Sequence, residues 1–157
     1  MKEIRFATEQ DVGLILDFIS KLAEYEKMSD QVIATKELLK EWIFDKKKAE
    51  VIFALNNGKE VGFALFFNNF STFLGRAGIY LEDIFVLPEY RGKGFGTLML
   101  KTLAKLTIER GLGRLEWCCL DWNTPSIKFY ENIGAKQLKG WSIFRLDNSA
   151  LKSLADN

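Results

Sequence analysis

Histidine is absent from this 157-residue sequence, and proline occurs only twice. Without an imidazole, proton transfer near neutral pH has to use a carboxylate, a tyrosine, a cysteine, a lysine or water. The two cysteines, Cys118 and Cys119, are adjacent and cannot staple distant segments, the pattern of a reduced, cytosolic protein. No metal is called for. No run is apolar for long enough to cross a bilayer, and the opening MKEIRFATEQD lacks the apolar core of a signal peptide. Charge of one sign is missing too: 22 basic residues face 21 acidic ones, a net of +1, without the basic excess of a nucleic-acid binder. What is present is a chain 48% hydrophobic and 13% aromatic. That suits one globular domain over residues 1–157 with a well-buried core.

The pattern of apolar residues predicts a short strand over residues 3–7 and then a helix. Thr8 opens the helix in TEQD, a capping-box pattern, and Val12, Ile15, Leu16, Phe18, Ile19, Leu22 and Ala23 form its apolar stripe. A second helix is expected after Thr35, with Leu38, Leu39, Trp42 and Ile43 facing inward. EVIFAL and EVGFALFF flank NNGK, which reads as a hairpin around an Asn-Gly turn. IYLEDIFVL is a strand closed by Pro88, and residues 97–110 are a helix ended by Gly111 and Gly113. RLEWCCL is a further strand. A short helix, capped by Asn123 or Thr124 with Pro125 in its first turn, runs to Ile133, and WSIFRL is a last strand. The order β-α-α-β-β-β-α-β-α-β makes a single α/β domain whose first half is mostly antiparallel.

Between the strand closed by Pro88 and the next helix lies EYRGKGFGTLML. A strand, a glycine-rich turn and a helix together make an anion-binding arrangement. A Walker loop is excluded, because Leu87 stands where its first glycine belongs and Gly94 where Ser or Thr belongs. A dinucleotide fingerprint fits poorly: Gly92, Gly94 and Gly96 give G-x-G-x-G, and Glu116 falls inside a strand rather than at its end. The third reading is R-x-x-G-x-G, Arg91-Gly92-Lys93-Gly94-Phe95-Gly96. Its glycines allow close backbone approach to a pyrophosphate, the helix start supplies N–H groups, and Arg91 and Lys93 add charge.

This loop resembles the acyl-CoA loop of the GCN5-related N-acetyltransferase (GNAT) superfamily. NTPSIKFYENIGA, from Asn123 to Ala135, resembles the superfamily's downstream signature; a capped amphipathic helix with Ile127 and Phe129 or Tyr130 as core would explain its apolar residues but not why both motifs occur in this order and spacing. LAEYEKM, QVIAT, YLEDIFVLPEYRGKGFG and DWNTPSIKFYENIGA are similar to diamine/polyamine N-acetyltransferases of the spermidine/spermine type. The resemblance implies a GNAT fold, a mixed twisted sheet flanked by helices. It also implies acetyl-CoA as cosubstrate, a small cationic amine as acceptor, direct transfer without an acyl-cysteine, and a homodimer packed through its C-terminal strands. A close branch of the family prefers thialysine-like amino acids. Protein lysine or N-terminal acetylation and a non-catalytic acyl-CoA-binding module are the other readings.

The chemistry would be aminolysis of a thioester, which requires an ammonium of pKa about 10.4 to lose a proton first. Glu82 is the candidate base, acting directly or through water, although an exposed strand carboxylate is the plain alternative. Asp83 points to the other side of the strand if the pleat is regular, and a bulge would alter that. Backbone N–H groups at Ile84, Phe85 and Val86 are candidate donors to the developing oxyanion. Tyr130 is the candidate acid for the departing thiolate, a role that the resemblance implies. Gly92, Lys93, Gly94, Phe95, Gly96 and Thr97, with Arg91, Asn123 and Ser126, are expected at the cosubstrate. Asn123 serves the pantetheine arm or the helix cap. Tyr25, Glu26, Glu82, Glu116, Trp117 and Cys118 are expected at the amine, on the strength of the resemblance.

Overall fold

In the computed structural model, which describes residues 1–157, the chain packs as two compact units, Met1–Cys118 and Cys119–Asn157. The first holds a five-stranded sheet in the order β1 (Lys2–Phe6), β2 (Glu50–Asn56), β3 (Lys59–Ser71), β4 (Arg76–Val86) and β5 (Leu115–Trp117). The first four strands are antiparallel to their neighbours, and β5 runs parallel to β4. The β2–β3 turn forms because Asn57 and Gly58 both adopt positive φ, 50° and 83°, the geometry that suits an Asn-Gly pair and the twist of a hairpin.

Helix α1 (Val12–Tyr25) follows a 3₁₀ turn at Glu9–Asp11, and the Asp11 carboxylate accepts the Thr8 N–H at 2.7 Å. Its stripe of Ile15, Phe18 and Leu22 packs against Phe53, Phe63 and Phe85 of the sheet. Phe18 stacks on Phe63 with ring centroids 5.3 Å apart. Each such fully buried side chain contributes roughly 2–3 kcal/mol. The N-terminal unit's other long helix, α3 (Phe95–Glu109), buries Phe95, Met99, Leu100 and Leu103. Both long helices are thus anchored by apolar residues at helical spacing.

The second expected helix is shorter than its pattern suggests. Thr35 accepts the Leu38 N–H at 3.1 Å and opens α2 (Lys36–Leu39), which runs on into a π-helical turn over Lys40–Asp45. Of the residues expected to face inward, Ile43 is buried, whereas Leu38 and Trp42 are exposed.

The second unit contains α4 (Thr124–Asn132) and α5 (Asn148–Asp156). WSIFRL is not a strand here: it pairs with none, and Trp141, Ile143 and Phe144 stand exposed. Period-two alternation makes a strand only where an edge receives its hydrogen bonds. Helix α5, preceded by Asp147 as N-cap, is an element the sequence reading lacks. No helix is long and apolar enough to cross a membrane.

Candidate active site

The loop after β4 has a geometry that could hold an anion. A 3₁₀ turn at Pro88–Tyr90 leads out of the strand, and α3 begins at Phe95. Gly92 and Gly94 between them have φ of 73° and 90°, conformations that an L side chain rarely adopts. A Cβ added at Gly92 would meet nothing within 4 Å, so this face of the loop is open. The first N–H groups of α3, at Phe95, Gly96 and Thr97, have no intrahelical acceptor and carry the positive end of the helix dipole. An open, left-handed, cation-rich turn at a helix start fits the pyrophosphate of acetyl-CoA, so these backbone groups are the ones that would hold it.

Arg91 is placed differently from the expectation of a simple phosphate contact. Its Nε donates to the Val86 carbonyl at 2.9 Å. Its guanidinium carbon sits 4.7 Å from the Tyr25 ring centroid and 5.1 Å from that of Phe85. Arg91 thereby ties the root of the loop to the end of β4 and to the last residue of α1.

Upstream of the loop, β4 carries the acidic pair. Leu81 pairs with Phe66 and Asp83 with Leu65, so Glu82 is the extra residue of a β-bulge. Of the two alternatives for Asp83, a regular pleat or a bulge, the structure has the bulge. Glu82 is exposed, whereas Asp83 is half-buried and lies in the electrostatic field of both Glu82 and Glu26. Burial first, and those two negative charges second, push the Asp83 carboxyl up to about 7 from its usual 3.8. Glu26, the residue after α1, is also pushed upward, by burial alone. Two consecutive acids inside the apolar run IYLEDIFVL are the sequence signal that could have pointed to the bulge and to Asp83.

The bulge coincides with a parting of strands. β5 pairs with Ile79, Tyr80 and Leu81 and stops there, whereas β4 continues to Val86, paired on its β3 side. Ile84, Phe85 and Val86 therefore have no β5 residue paired with them, and this stretch of β4 offers backbone groups to an extended ligand arm. Phe85 itself is core, as its apolar side chain predicts.

The β5 residues expected at the amine divide. Glu116 is held by the chain's own groups, with Arg114 Nε at 3.0 Å and Asn69 Nδ2 at 3.2 Å. Trp117 stands in register with Leu81, next to the bulge. Cys118 is exposed and accepts a hydrogen bond from the Tyr80 hydroxyl at 2.8 Å. Burial and that bond, with Glu82 and Glu116 nearby, hold the Tyr80 phenol well above its usual range, so Tyr80 keeps its proton.

In the C-terminal unit Asn123 is buried, and its Oδ1 accepts the Ser126 N–H at 3.4 Å. It is thus the N-cap of α4, with Pro125 in the first turn. Tyr130 lies about two turns beyond Asn123, half-buried, with its ring centroid 5.5 Å from that of Phe129.

Comparison with known proteins agrees with this geometry. The acetyltransferase (GNAT) family matches residues 16–135. A thialysine N-epsilon-acetyltransferase of Bos taurus is 40% identical, over 97% of this chain and 96% of that one. An L-ornithine N5-acetyltransferase of Arabidopsis thaliana is 32% identical, over 96% of this chain and 86% of that one. A solved integron cassette protein from V. cholerae superposes with a TM-score of 0.82 at 28% identity, covering 99% of this chain and 98% of the other. A glycine-rich loop at the end of a bulged strand, in a sheet of this order, is thus accounted for: the chain belongs to the acetyltransferase (GNAT) family and is an acetyl-CoA-dependent N-acetyltransferase.

Proposed function

We propose that the acceptor is a small molecule bearing a primary amine and a second ammonium group, acetylated by direct transfer. The observation that carries this reading is the acidic cluster at the β4 bulge, where Glu82, Asp83 and Glu26 gather close to the strand stretch that parts from β5. A cluster of like charges is unfavourable by itself and becomes favourable when cations enter it.

Acetyl-CoA supplies the acetyl thioester. The chain's own groups then have three tasks. The carboxylate pair at the bulge receives the proton that the acceptor ammonium must lose. Glu82 is exposed to the incoming amine, and Asp83, poised near pH 7, has the proton affinity suited to a base at neutrality. Those backbone N–H groups of Ile84 to Val86 that turn away from β3 would donate to the charge that develops on the acyl oxygen. Tyr130 gives its phenolic proton to the departing thiolate. Bonds and protons balance: one C–N bond forms and one C–S bond breaks, and nitrogen gives up two protons, one from the ammonium before attack, which passes through the carboxylates to solvent, and one from the tetrahedral intermediate, which replaces the proton that Tyr130 delivers to sulfur.

Two readings of the acceptor share this chemistry. The names of the relatives, acting on thialysine and on L-ornithine, support an amino acid with a distal amine, whose α-ammonium is the second cation. The sequence motifs support a polyamine such as spermidine, a multiple cation of similar reach. Turnover of acetyl-CoA with thialysine, ornithine, spermidine and a neutral-tailed monoamine separates them. The dications should exceed the monoamine by about 5- to 150-fold in kcat/KM, the equivalent of roughly 1–3 kcal/mol for one charge-assisted contact. Glu26→Gln should narrow that gap while leaving the monoamine nearly unchanged. Equal rates for all acceptors, insensitive to Glu26, would sink the dication reading and favour a peptide acceptor.

A further inference from the structure

Lys2 lies outside both sequence motifs, on the first strand, 91 residues before Lys93. The antiparallel order of β1 to β4 nevertheless brings the start of β1 to the same end of the sheet as the end of β4. There the Lys2 ammonium donates to the Lys93 carbonyl inside the glycine-rich loop. It stands 5.3 Å from the centroid of the Phe95 ring, and a Cβ added at Gly94 would lie 3.1 Å from its Nζ. We propose that Lys2 is a cosubstrate-binding residue whose ammonium faces the pyrophosphate of acetyl-CoA on the loop formed by residues 92–97.

The argument is electrostatic. Three lysines converge on one aromatic pair, Tyr90 and Phe95, whose rings meet edge-on at 6.1 Å. Lys59 and Lys93 lie 5.7 and 5.5 Å from the Tyr90 ring centroid, and Lys2 covers Phe95. None of the three ammonium groups belongs to a salt bridge. They gather at the N-terminus of a 15-residue helix, where the dipole is itself positive. The aromatic faces offset part of the repulsion. An anion seated on the loop turns the remainder into attraction. Lys2 is exposed, so its ammonium is open to such a ligand. The bond to the Lys93 carbonyl uses one of its three N–H donors and leaves two for phosphate oxygens. Arg91, the loop residue whose charge the motif offers for this purpose, is turned toward Tyr25 and Phe85.

The test is calorimetric titration of CoA and 3′-dephospho-CoA into the parent, Lys2→Gln and Lys2→Arg proteins, with pantetheine followed by NMR as the phosphate-free control. Circular dichroism first checks that each variant is folded. Lys2→Gln should weaken CoA and dephospho-CoA alike by about tenfold, the scale of one charge-assisted contact. Pantetheine binding should not change, and Lys2→Arg should recover most of the loss. Raising the salt concentration should shrink the difference between parent and Lys2→Gln. Undiminished CoA affinity in folded Lys2→Gln would overturn the proposal. So would a weakening shared by pantetheine, which would make Lys2 only a brace for the loop, or a loss confined to CoA, which would place the contact on the 3′-phosphate. These readouts need no amine, so they stand or fall separately from the identity of the acceptor.

Discussion

Replacing Asp83 by Asn should stabilise the fold and disable the enzyme, and the two effects should share one pH dependence. The folded protein holds the Asp83 carboxyl at about 7, against a usual 3.8, because burial and the charges of Glu82 and Glu26 disfavour its ionised form. At 1.36 kcal/mol per tenfold change in proton affinity, the penalty on the ionised form approaches about 4 kcal/mol. Residual solvent contact lowers this to roughly 2–4 kcal/mol. The sign follows from linkage. The folded state binds this proton more tightly than the unfolded state, so the associated stability is fully present below pH 3.8 and is lost as pH rises through about 7. The neutral amide has nothing to lose. Urea unfolding of parent and Asp83→Asn should therefore differ little at about pH 4, diverge between there and neutrality, and reach a constant gap of about 2–4 kcal/mol at alkaline pH. Over the same window the parent's kcat should rise with pH, and the variant's should fall by about 10²-fold or more and lose that limb. A stability difference that is flat in pH would refute the electrostatic account. A variant that keeps the parent's rate and pH profile would remove Asp83 from proton transfer.

Three further outcomes follow from other parts of the molecule. Tyr130→Phe should keep the fold and CoA affinity while lowering kcat by about 10²-fold, and an unchanged rate across pH would make Tyr130 a packing residue. Gly94→Val should weaken CoA binding by an order of magnitude or more in titration, because its φ of 90° suits glycine and its added atoms would crowd Lys2, while Tm changes by only a few degrees. The Arg5–Asp11 pair should show the opposite pH sign from Asp83. The hydrogen bond from Arg5 holds Asp11 at about 2, so its stability is present above pH 3.8 and lost as pH falls through about 2. Asp11→Asn should thus cost roughly 1–2 kcal/mol at neutral pH and nothing in strong acid, read by thermal unfolding.

Local chemistry made much of this protein legible in one dimension. The Asn57-Gly58 turn, the Thr35 and Asn123 caps and the left-handed glycines of the loop each depend on residues within a few positions of one another, so their spelling suffices. The order of elements through α4 and the glycine-rich loop followed from such signals, and the family resemblance followed from the loop together with the segment from Asn123 to Ala135 and the other matching stretches. Tertiary structure decided what depends on distant partners. Whether Asp83 turns away from Glu82 depends on the bulge that β4 forms against β3, and its proton affinity depends first on the burial that packing imposes and then on the charges of Glu82 and Glu26. Glu116 is placed at the amine by the family resemblance, and its contacts with Arg114 and Asn69 became visible only with the tertiary structure. WSIFRL has the alternation of a strand but pairs with none, and backbone hydrogen bonding is a property of two segments rather than one. Lys2 carries no motif at all: a single ammonium acquires meaning only when the sheet delivers it to a loop 91 residues away, because electrostatic forces act across space and not along the chain.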